Sequence, residues 1–561
     1  FMDGTTGRLF REFSIVVSGS VIISSFAALT FTPMLATKLL IKREQQSWFY
    51  RKTEPFFEGM NRVYSQSLAA FLKRRWIALP FTIVTILLIG VLWNTIPAEM
   101  APLEDRSQIS INTMGAEGVT YEYIRDYTED INHLVDSIIP DAEAVTARVS
   151  SGSGNVRITL KDMKDRDYTQ MEVAEKLSKA VQKKTMARSF VQQSSSFGGR
   201  RGGMPVQYVL QATNIEKLQE VLPKFMTKVY ENPVFQMADV NLKFSKPEAR
   251  ININRDKASI MGVSTKNIAQ TLQYGLSGQR MGYFYMNGKQ YEILGEINRQ
   301  QRNKPADLKG IYIRSDNGNM VQLDNLIELT GGIAPPKLYR YNRFVSATIS
   351  AGLADGKTIG QGLDEMDKIA KETLDETFRT ALTGDSKEYR ESSSSLMFAF
   401  ILAIVLIYLI LAAQFESFKD PLIIMLTVPL AIAGALVFMY FGGITMNIFS
   451  QIGIIMLIGL VAKNGILIVE FANQKQEAGE DKMRAIKDAS LQRLRPILMT
   501  SASTILGLIP LAFATGEGCN QRIAMGTAVV GGMLISTLLT MYIVPAIYSY
   551  VSTNRSKLKT E

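Results

Sequence analysis

The stretch GLVAKNGILIV (residues 459–469) places a lysine inside an apolar segment that is long enough to cross a membrane. No Asp, Glu, Lys, Arg or His occurs from Pro421 to Ala462, and Lys463 is followed by another apolar run. An ammonium group at the depth of the bilayer centre costs about 3 kcal/mol on insertion scales, so a partner group or a water-filled path must compensate it. Lys463 is therefore a candidate functional residue, most often part of a proton or ion relay.

Further apolar segments on both sides of this stretch predict a polytopic α-helical membrane protein. Each is long enough to cross about 30 Å of hydrocarbon. The predicted spans are residues 14–41, 76–97, 393–414, 421–441, 448–472, 496–514 and 523–551. The sequence FGGITMN (441–447) predicts a tight turn between two of them. The block 97–390 has the composition of a soluble protein, which predicts a large extramembrane domain.

The net charge of +10 comes from basic residues that cluster at the ends of the spans. This pattern is typical of the positive-inside rule and argues against nucleic-acid binding. It predicts that segments 38–75 and 473–495 are cytoplasmic and that block 97–390 lies on the outer side. Part of the first segment, 56–72, mixes apolar and polar residues at helical spacing and is predicted to lie along the membrane surface. The basic residues of the C-terminal tail are also predicted to be cytoplasmic: Arg555, Lys557 and Lys559.

Cysteine and histidine are too scarce for several kinds of chemistry. Cys519 is the only cysteine and His133 the only histidine, which excludes an intrachain disulfide and a Cys- or His-cluster metal site. The sequence has no nucleophile elbow and no P-loop, so we predict no enzyme activity, no cofactor and no use of ATP. The chain starts at Phe1 without the features of a signal peptide, and we expect the native N-terminus far upstream.

The outer block contains a repeated order of strands and helices. The first copy is predicted as strand 107–113, helix 121–138, strands 144–149 and 156–160, and helix 171–181. The second is predicted as strand 206–211, helix 215–230, strands 238–244 and 249–254, strand 345–351 and helix 359–374. Two α+β units of the split-βαβ, ferredoxin-like type fit this order.

Segment 263–335 interrupts the second unit and differs from it in character. Asn287-Gly288 and Asp316-Asn317-Gly318 each separate two short strand patterns, which predicts two hairpins. We interpret this segment as an inserted hairpin-rich subdomain. Segment 189–204, rich in Ser, Gln and Gly, is predicted to be a flexible connector.

Five sequence motifs occur in order along the chain: TPMLA (32–36), QFESF (414–418), GLVAKNGILIVEFA (459–472), LRPILMT (494–500) and GTAVVGG (526–532). In this order and spacing they resemble the resistance–nodulation–division (RND) transporters, most closely their hydrophobe/amphiphile (multidrug) efflux branch. The resemblance covers essentially the whole chain and aligns it with the last helix of the family's N-terminal half plus the C-terminal half.

The resemblance implies a division into domains and a set of partners. The division is 1–41, last transmembrane helix of the N-terminal half; 42–75, cytoplasmic amphipathic linker; 76–97, transmembrane helix; 98–200, first periplasmic porter subdomain; 201–262 with 336–390, second porter subdomain; 263–335, docking subdomain; and 391–561, five transmembrane helices with a cytoplasmic tail. It implies a homotrimer in the inner membrane of a Gram-negative cell, in contact with membrane lipids. It also implies proton-driven export of small amphiphilic molecules, together with a periplasmic adaptor (membrane fusion) protein and an outer-membrane channel protein.

The resemblance further implies that Lys463, Asn464, Arg493 and Thr500 belong to a proton relay. Its two aspartates would lie on a helix that this chain lacks, and Glu470 lies about 10 Å beyond Lys463, where we interpret it as interfacial.

The chemistry of a buried lysine supports a relay independently of the family. Such a lysine keeps its proton beside a carboxylate, and protonation of that carboxylate breaks the ion pair. Asn464 and Thr500 then offer neutral hydrogen-bonding groups to Lys463. Two arrangements set by one proton form a bistable element that can drive a large domain. The alternative is a snorkelling or purely structural lysine.

The substrate and the exact role of the chain stay open. Segment 150–155 (SSGSGN) lacks the aromatic residues of the corresponding loop in multidrug relatives, which predicts a less aromatic pocket. Phe197, Arg200 and Arg201 could face substrate, although a flexible linker is the simpler interpretation. The 26 methionines are interpreted as core and lipid-facing residues rather than as a copper pathway. Two other functions remain as alternatives: a split subunit that completes a transporter, and an RND relative that moves lipids or proteins.

Overall fold

The structure, a computed structural model, describes residues 4–39, 48–193, 204–335, 337–354 and 356–553. The described helices are α1 (Gly4–Leu39), α2 (Trp48–Lys73), α3 (Ala78–Thr95), α4 (Tyr121–Ile138), α5 (Gln170–Val181), α6 (Ile215–Glu231), α7 (Arg255–Ile260), α8 (Thr265–Leu276), α9 (Ile359–Thr373), α10 (Gly384–Phe415), α11 (Lys419–Met425), α12 (Thr427–Phe441), α13 (Ile448–Glu477), α14 (Lys482–Ala512) and α15 (Cys519–Val551). The described strands are β1 (Gln108–Met114), β2 (Ala144–Ser150), β3 (Ser153–Thr159), β4 (Arg188–Gln193), β5 (Val206–Ala212), β6 (Phe235–Val240), β7 (Lys246–Ile253), β8 (Gln279–Met286), β9 (Lys289–Gly295), β10 (Tyr312–Arg314), β11 (Met320–Gln322), β12 (Ile327–Ala334), β13 (Arg340–Tyr341), β14 (Phe344–Leu353) and β15 (Arg379–Leu382).

Within the described residues, seven helical segments have the length and composition needed to span a membrane. They are Gly7–Leu39, Arg75–Thr95, Gly384–Phe415, Lys419–Phe441, Ile448–Glu477, Lys482–Ala512 and Cys519–Val551. Each overlaps one predicted span. Six of the seven observed segments are longer than predicted, mostly at one end, because residues flanking the apolar core continue the backbone hydrogen bonds of the helix, and Arg75–Thr95 is one residue shorter than its predicted span. The predicted turn at 441–447 is confirmed, and the Asn447 side chain caps α13 by accepting from the Phe449 and Ser450 amides.

Glycines allow α15 to pack very closely against its neighbours. A Cβ atom at Gly526 would lie 2.5 Å from the Ala512 backbone nitrogen of α14. One at Gly532 would lie 2.1 Å from a Leu457 methyl of α13 and 2.9 Å from the Ala431 carbonyl of α12. Lipid tails are as apolar as the helix side chains, so the hydrophobic effect does not hold helices together within a membrane. Close packing of this kind then stabilises their association.

Helix α2 is amphipathic and packs one face against the end of α15. Tyr64, Leu68 and Leu72 recur at intervals of four residues and are buried. The Tyr64 hydroxyl donates to the Met541 carbonyl at 2.7 Å. Phe56, on another face, stays exposed. The sequence pattern of α2 thus decides which side faces the other helices.

The first sheet has the strand order β2-β3-β1-β4, with every neighbouring pair antiparallel. With α4 and α5 the elements follow the order β-α-β-β-α-β, which is the split-βαβ arrangement. Alternate residues of β1, such as Ile109 and Ile111, are buried against Ile131 of α4 and Leu177 of α5. A buried ion pair joins Arg166 to Asp105 just before β1.

Strand β4 corrects the prediction of a flexible connector starting at residue 189. Residues Arg188–Gln193 pair with β1 and place Val191 opposite Ile111. The polar composition of this segment does not indicate a strand. Its strand structure depends on hydrogen bonds to β1, which lies about 80 residues earlier in the sequence. Phe197, Arg200 and Arg201 lie outside the described residues.

The second sheet repeats the same order with an interruption. Strand β14 lies between β5 and β6, and β15 pairs with the other side of β5. Helices α6 and α9 contact each other and the sheet. The long α10 begins at this sheet, where Ser386 accepts from the Gln207 amide at 2.8 Å and donates to the Pro205 carbonyl at 3.1 Å. Helix α10 continues from there to Phe415.

A separate compact unit contains Gly115–Tyr123 and Leu242–Tyr339. It is larger than the insertion predicted at 263–335, and the strand predicted at 249–254 belongs to it. That strand, β7, pairs along its length with β12 and makes no pair with the second sheet. The alternation of its side chains could not identify the partner, because the partner strand lies about 80 residues further along the chain.

Both predicted hairpins of this unit are confirmed. Asn287 and Gly288 have φ values of +52° and +72°, as a tight two-residue turn between β8 and β9 requires. Strands β10 and β11 pair on either side of Gly318, whose φ is +86°. The β8–β9 hairpin exposes large apolar side chains on both faces: Met281, Tyr283, Phe284, Tyr285, Met286, Tyr291, Ile293 and Leu294.

Candidate functional site

Lys463 lies in the middle of α13 and reaches the neighbouring helix α14. Its Nζ donates to the Thr504 hydroxyl at 3.3 Å. That hydroxyl in turn donates to the Thr500 carbonyl at 2.8 Å. Within the described part of the chain no carboxylate forms an ion pair with Lys463, so its visible partner is neutral. The side chain is half-buried.

Asn464 faces a different set of groups from its neighbour Lys463. It is 1% exposed, and its amide nitrogen lies 3.3 Å from the Ser501 hydroxyl and 3.4 Å from that of Thr537. Its Oδ1 is buried and has no hydrogen-bond partner among the described residues. Asn464 therefore joins α13 to both α14 and α15 through polar contacts inside an apolar region, and it keeps one unused acceptor.

The other two predicted relay residues lie on α14 and make no hydrogen bond to Lys463 within the described ranges. The Thr500 hydroxyl donates to the Ile497 carbonyl at 3.1 Å. The Arg493 guanidinium lies over the Phe471 ring, 4.4 Å from its centroid. Arg493 is eleven residues from Thr504, which is about 16 Å along a helix. The structure thus brings together Lys463 and Thr504, whereas Arg493 packs against Phe471 of α13.

Thr504, Ser501 and Thr537 are site residues that the sequence analysis missed. Thr504 follows Thr500 by four residues, so both lie on one face of α14. That spacing indicates that either hydroxyl can face α13, but it does not identify which of the two accepts a hydrogen bond from the Lys463 ammonium. Glu470, interpreted as interfacial, accepts from the Gln474 amide at 3.0 Å.

A second polar cluster lies about 15 Å along α13 from Lys463. The Asn473 side-chain nitrogen Nδ2 donates to Asp420 Oδ2 at 3.1 Å, and the Tyr548 hydroxyl donates to Asn473 Oδ1 at 2.6 Å. The Gln476 amide donates to the Tyr548 hydroxyl at 2.6 Å. All four side chains are buried. Because its members satisfy one another, we interpret this cluster as a structural link between α11, α13 and α15.

Glu99 is a titratable residue four positions after the end of α3. It is half-buried and accepts from the Thr445 hydroxyl, next to the start of α13. Burial raises the pKa of Glu99 above its usual value, and the hydrogen bond from Thr445 opposes this shift only in part.

We expect Glu99→Gln to raise the thermal stability of the protein at pH 8 and to change it little near pH 4. A carboxyl group whose folded pKa is raised contributes stability at low pH and loses it as the pH rises through the folded pKa, above the usual value of about 4.3. Glutamine accepts the same hydrogen bond from Thr445 without acquiring a charge. Thermal unfolding of both proteins from pH 4 to pH 8 measures the difference. A difference that does not depend on pH contradicts this assignment.

The described part of the chain contains no group of three or more His, Cys, Asp or Glu side chains that could hold a metal ion. The long apolar helices and the mixed α/β units between them define a helical membrane protein with a large extramembrane portion.

Comparison with known proteins assigns the family. The model of the AcrB/AcrD/AcrF family matches residues 1–552. An uncharacterized transporter of Haemophilus influenzae is 31% identical over 567 residues, which cover 99% of this chain and 55% of that protein. The chain therefore belongs to the AcrB/AcrD/AcrF family of RND permeases, as the resemblance predicted. It spans about half the length of the curated relative that it matches.

Proposed function

We propose that the chain is part of a proton-driven exporter of amphiphilic or hydrophobic compounds, in which Lys463 responds to protonation. The observation that carries this proposal is the contact of a half-buried ammonium with the neutral hydroxyl of Thr504. An ammonium in this setting is costly unless a charged partner or water compensates it. The contact fits the state in which the carboxylate partner has bound its proton and released the lysine.

In the proposed relay the carboxylate comes from residues outside the described part of this chain. When it is ionised, Lys463 pairs with it, and when it is protonated, Lys463 turns to Thr504. Asn464 contributes its unused acceptor to one of the two arrangements. Arg493 and Thr500 remain members of the proposed relay through α14, because a shift of this helix moves both together with Thr504. Each proton thus selects one of two packings of α13 against α14.

The orientation that we propose places the basic ends of the helices in the cytoplasm and the two split-βαβ units with the inserted unit in the periplasm of a Gram-negative cell. The loops rich in Lys and Arg support it. The split-βαβ units would form the porter subdomains, and the inserted unit would form the docking subdomain. The apolar hairpin β8–β9 supports contact with another polypeptide, because such exposure on both faces marks an interaction surface. The proposed partners are further copies in a homotrimer, a periplasmic adaptor and an outer-membrane channel.

Proton coupling is testable with the native protein reconstituted into liposomes. We expect a fluorescent amphiphile to move when a pH difference is imposed, with protons flowing in the opposite direction. An ionophore that collapses the pH difference should stop the movement. Movement that continues without a pH difference contradicts proton coupling.

A structural subunit that completes a transporter is the second candidate function. Two observations favour it: Lys463 lacks a carboxylate partner among the described residues, and α1 exposes apolar side chains along most of its length. The two candidates differ in a direct measurement. Proton-driven flux from liposomes that contain this chain alone supports the first, and flux that appears only with a second subunit supports the structural role.

A further inference from the structure

A polar cavity lies between the amphipathic helix α2 and helix α14, away from Lys463. Its volume is about 420 Å³. The residues that line it are Asn61, Arg62 and Ser65 of α2, and Leu491, Gln492 and Arg495 of α14. On both helices the spacing is i, i+1 and i+4, so each helix turns one face toward the cavity. Five of these six side chains are polar, and two of them are guanidinium groups.

The charge of the cavity is positive. Arg495 binds Glu54 through both terminal nitrogens, at 3.0 and 3.5 Å, and its guanidinium lies over the Phe57 ring. Its Nε is buried and has no hydrogen-bond partner within the described ranges. Arg62 is exposed at the rim. The two arginines and Glu54 together leave one excess positive charge, which favours an anion.

Neutral side chains of the lining can complete the coordination of such an anion. Ser65, Gln492 and the Asn61 side-chain amide all carry hydrogen-bond donors. The site therefore offers donors from two helices at several angles. Guanidinium groups form strong charge-assisted hydrogen bonds with phosphate oxygens.

The position of the cavity along α14 identifies the source of the phosphate. Arg495 is the last charged residue of α14, and residues 496–512 contain no charged side chain. The cavity thus lies where the helix changes from polar to apolar, which is the level of lipid headgroups. Nearby Phe56 and Val63 of α2 are 71% and 67% exposed, as expected for side chains that contact acyl chains.

We propose that this cavity binds the phosphate group of an anionic phospholipid from the surrounding bilayer. Arg62 contacts the phosphate from the rim, and Ser65 and Gln492 donate hydrogen bonds to it. The lipid thereby joins α2 to α14, the helix that also carries Thr504. This inference does not depend on the proposed transport activity.

The test is native mass spectrometry of the intact native protein in detergent, titrated with phosphatidylglycerol or with the zwitterionic phosphatidylcholine. We expect phosphatidylglycerol to bind about tenfold more tightly than phosphatidylcholine, the order expected for one charge-assisted hydrogen bond. Arg62→Gln, which leaves the Arg495–Glu54 pair in place, should remove that preference. Ser65→Leu should weaken it as well, because the larger apolar side chain occupies the space one turn from Arg62 and removes a donor without changing the charge. Lys73→Gln removes the same charge from the end of the same helix outside the cavity and should bind like the wild type.

Three outcomes overturn the proposal. One is wild-type binding of phosphatidylglycerol by both Arg62→Gln and Ser65→Leu. Another is equal binding of the two lipids by the wild-type protein. The third is displacement of phosphatidylglycerol by a similar concentration of inorganic phosphate, which assigns the cavity to a soluble phosphate rather than to a lipid. Circular dichroism and thermal unfolding identify any variant that fails to fold, and the two cavity variants act by different means, so one remains informative.

Discussion

Lys463→Ala is expected to lower proton-driven export by the native protein at least about 100-fold. Removing one partner of a buried charge pair costs about 3–5 kcal/mol, because the other charge is left uncompensated. In the proposed relay the carboxylate would then hold its proton permanently, and one of the two arrangements of α13 and α14 would be lost. Folding and substrate binding should survive. The measurement is efflux of a fluorescent amphiphile from cells that contain equal amounts of each variant.

Related substitutions show which property of Lys463 matters. Lys463→Arg should also fail largely, because the planar guanidinium is larger and does not release its proton. Thr504→Ala removes the neutral partner that the structure gives to Lys463, and Thr500→Ala removes one hydrogen bond worth about 1 kcal/mol. Both should be milder than Lys463→Ala, with Thr504→Ala the stronger of the two. Ser503→Ala, at an exposed hydroxyl of the same helix, is the control.

The ranking of these variants separates a relay from a structural lysine. Export by Lys463→Ala at the wild-type rate shows that Lys463 is structural and that the proposed mechanism is wrong. Lower amounts of Lys463→Ala in the membrane, together with a normal rate per molecule, lead to the same conclusion.

Deletion of residues 283–294 is expected to abolish export while the protein stays folded in the membrane. The deletion removes most of the β8–β9 hairpin, whose aromatic and Met side chains are 38–77% exposed. Their burial against another polypeptide is the simplest use of such a surface. Efflux assays measure the loss of export, and cross-linking followed by mass determination identifies the lost partner as another copy of the protein or as an envelope protein.

A point substitution tests the same docking role of the β8–β9 hairpin without removing any residues. Tyr285 is 77% exposed, and Tyr285→Lys should weaken assembly strongly, because a charge at the centre of an apolar interface is left without solvent. Met320→Lys makes the same kind of change in the β10–β11 hairpin, where the side chain is 62% exposed, and should have a small effect. Normal export after the deletion, or equal effects of the two substitutions, contradicts a docking role for the β8–β9 hairpin.

Local patterns in the sequence account for most of what could be predicted. The apolar lengths located the long helices, and Asn287-Gly288 located a hairpin, because both signals lie within a few residues of the feature they predict. Strand β7 was assigned to the wrong unit and β4 was missed, because distant partners decide where these strands belong. Lys463 could be identified as a site residue because a charged side chain in a membrane-spanning apolar segment carries a high free-energy cost. Its partner Thr504 could not be identified in this way, because Thr500 and Thr504 share one helix face and only the packing of α13 on α14 selects between them.

The unbroken helix α10 has a mechanical consequence. Its 32 residues form a rod about 48 Å long, and its first turn is hydrogen-bonded through Ser386 to the start of strand β5 in the second sheet. A rod of this length turns a small angle at one end into a large displacement at the other, about 8 Å for a tilt of 10°. A shift of one side chain deep among the helices can therefore act as the short arm of a lever, with the sheet carried on the long arm.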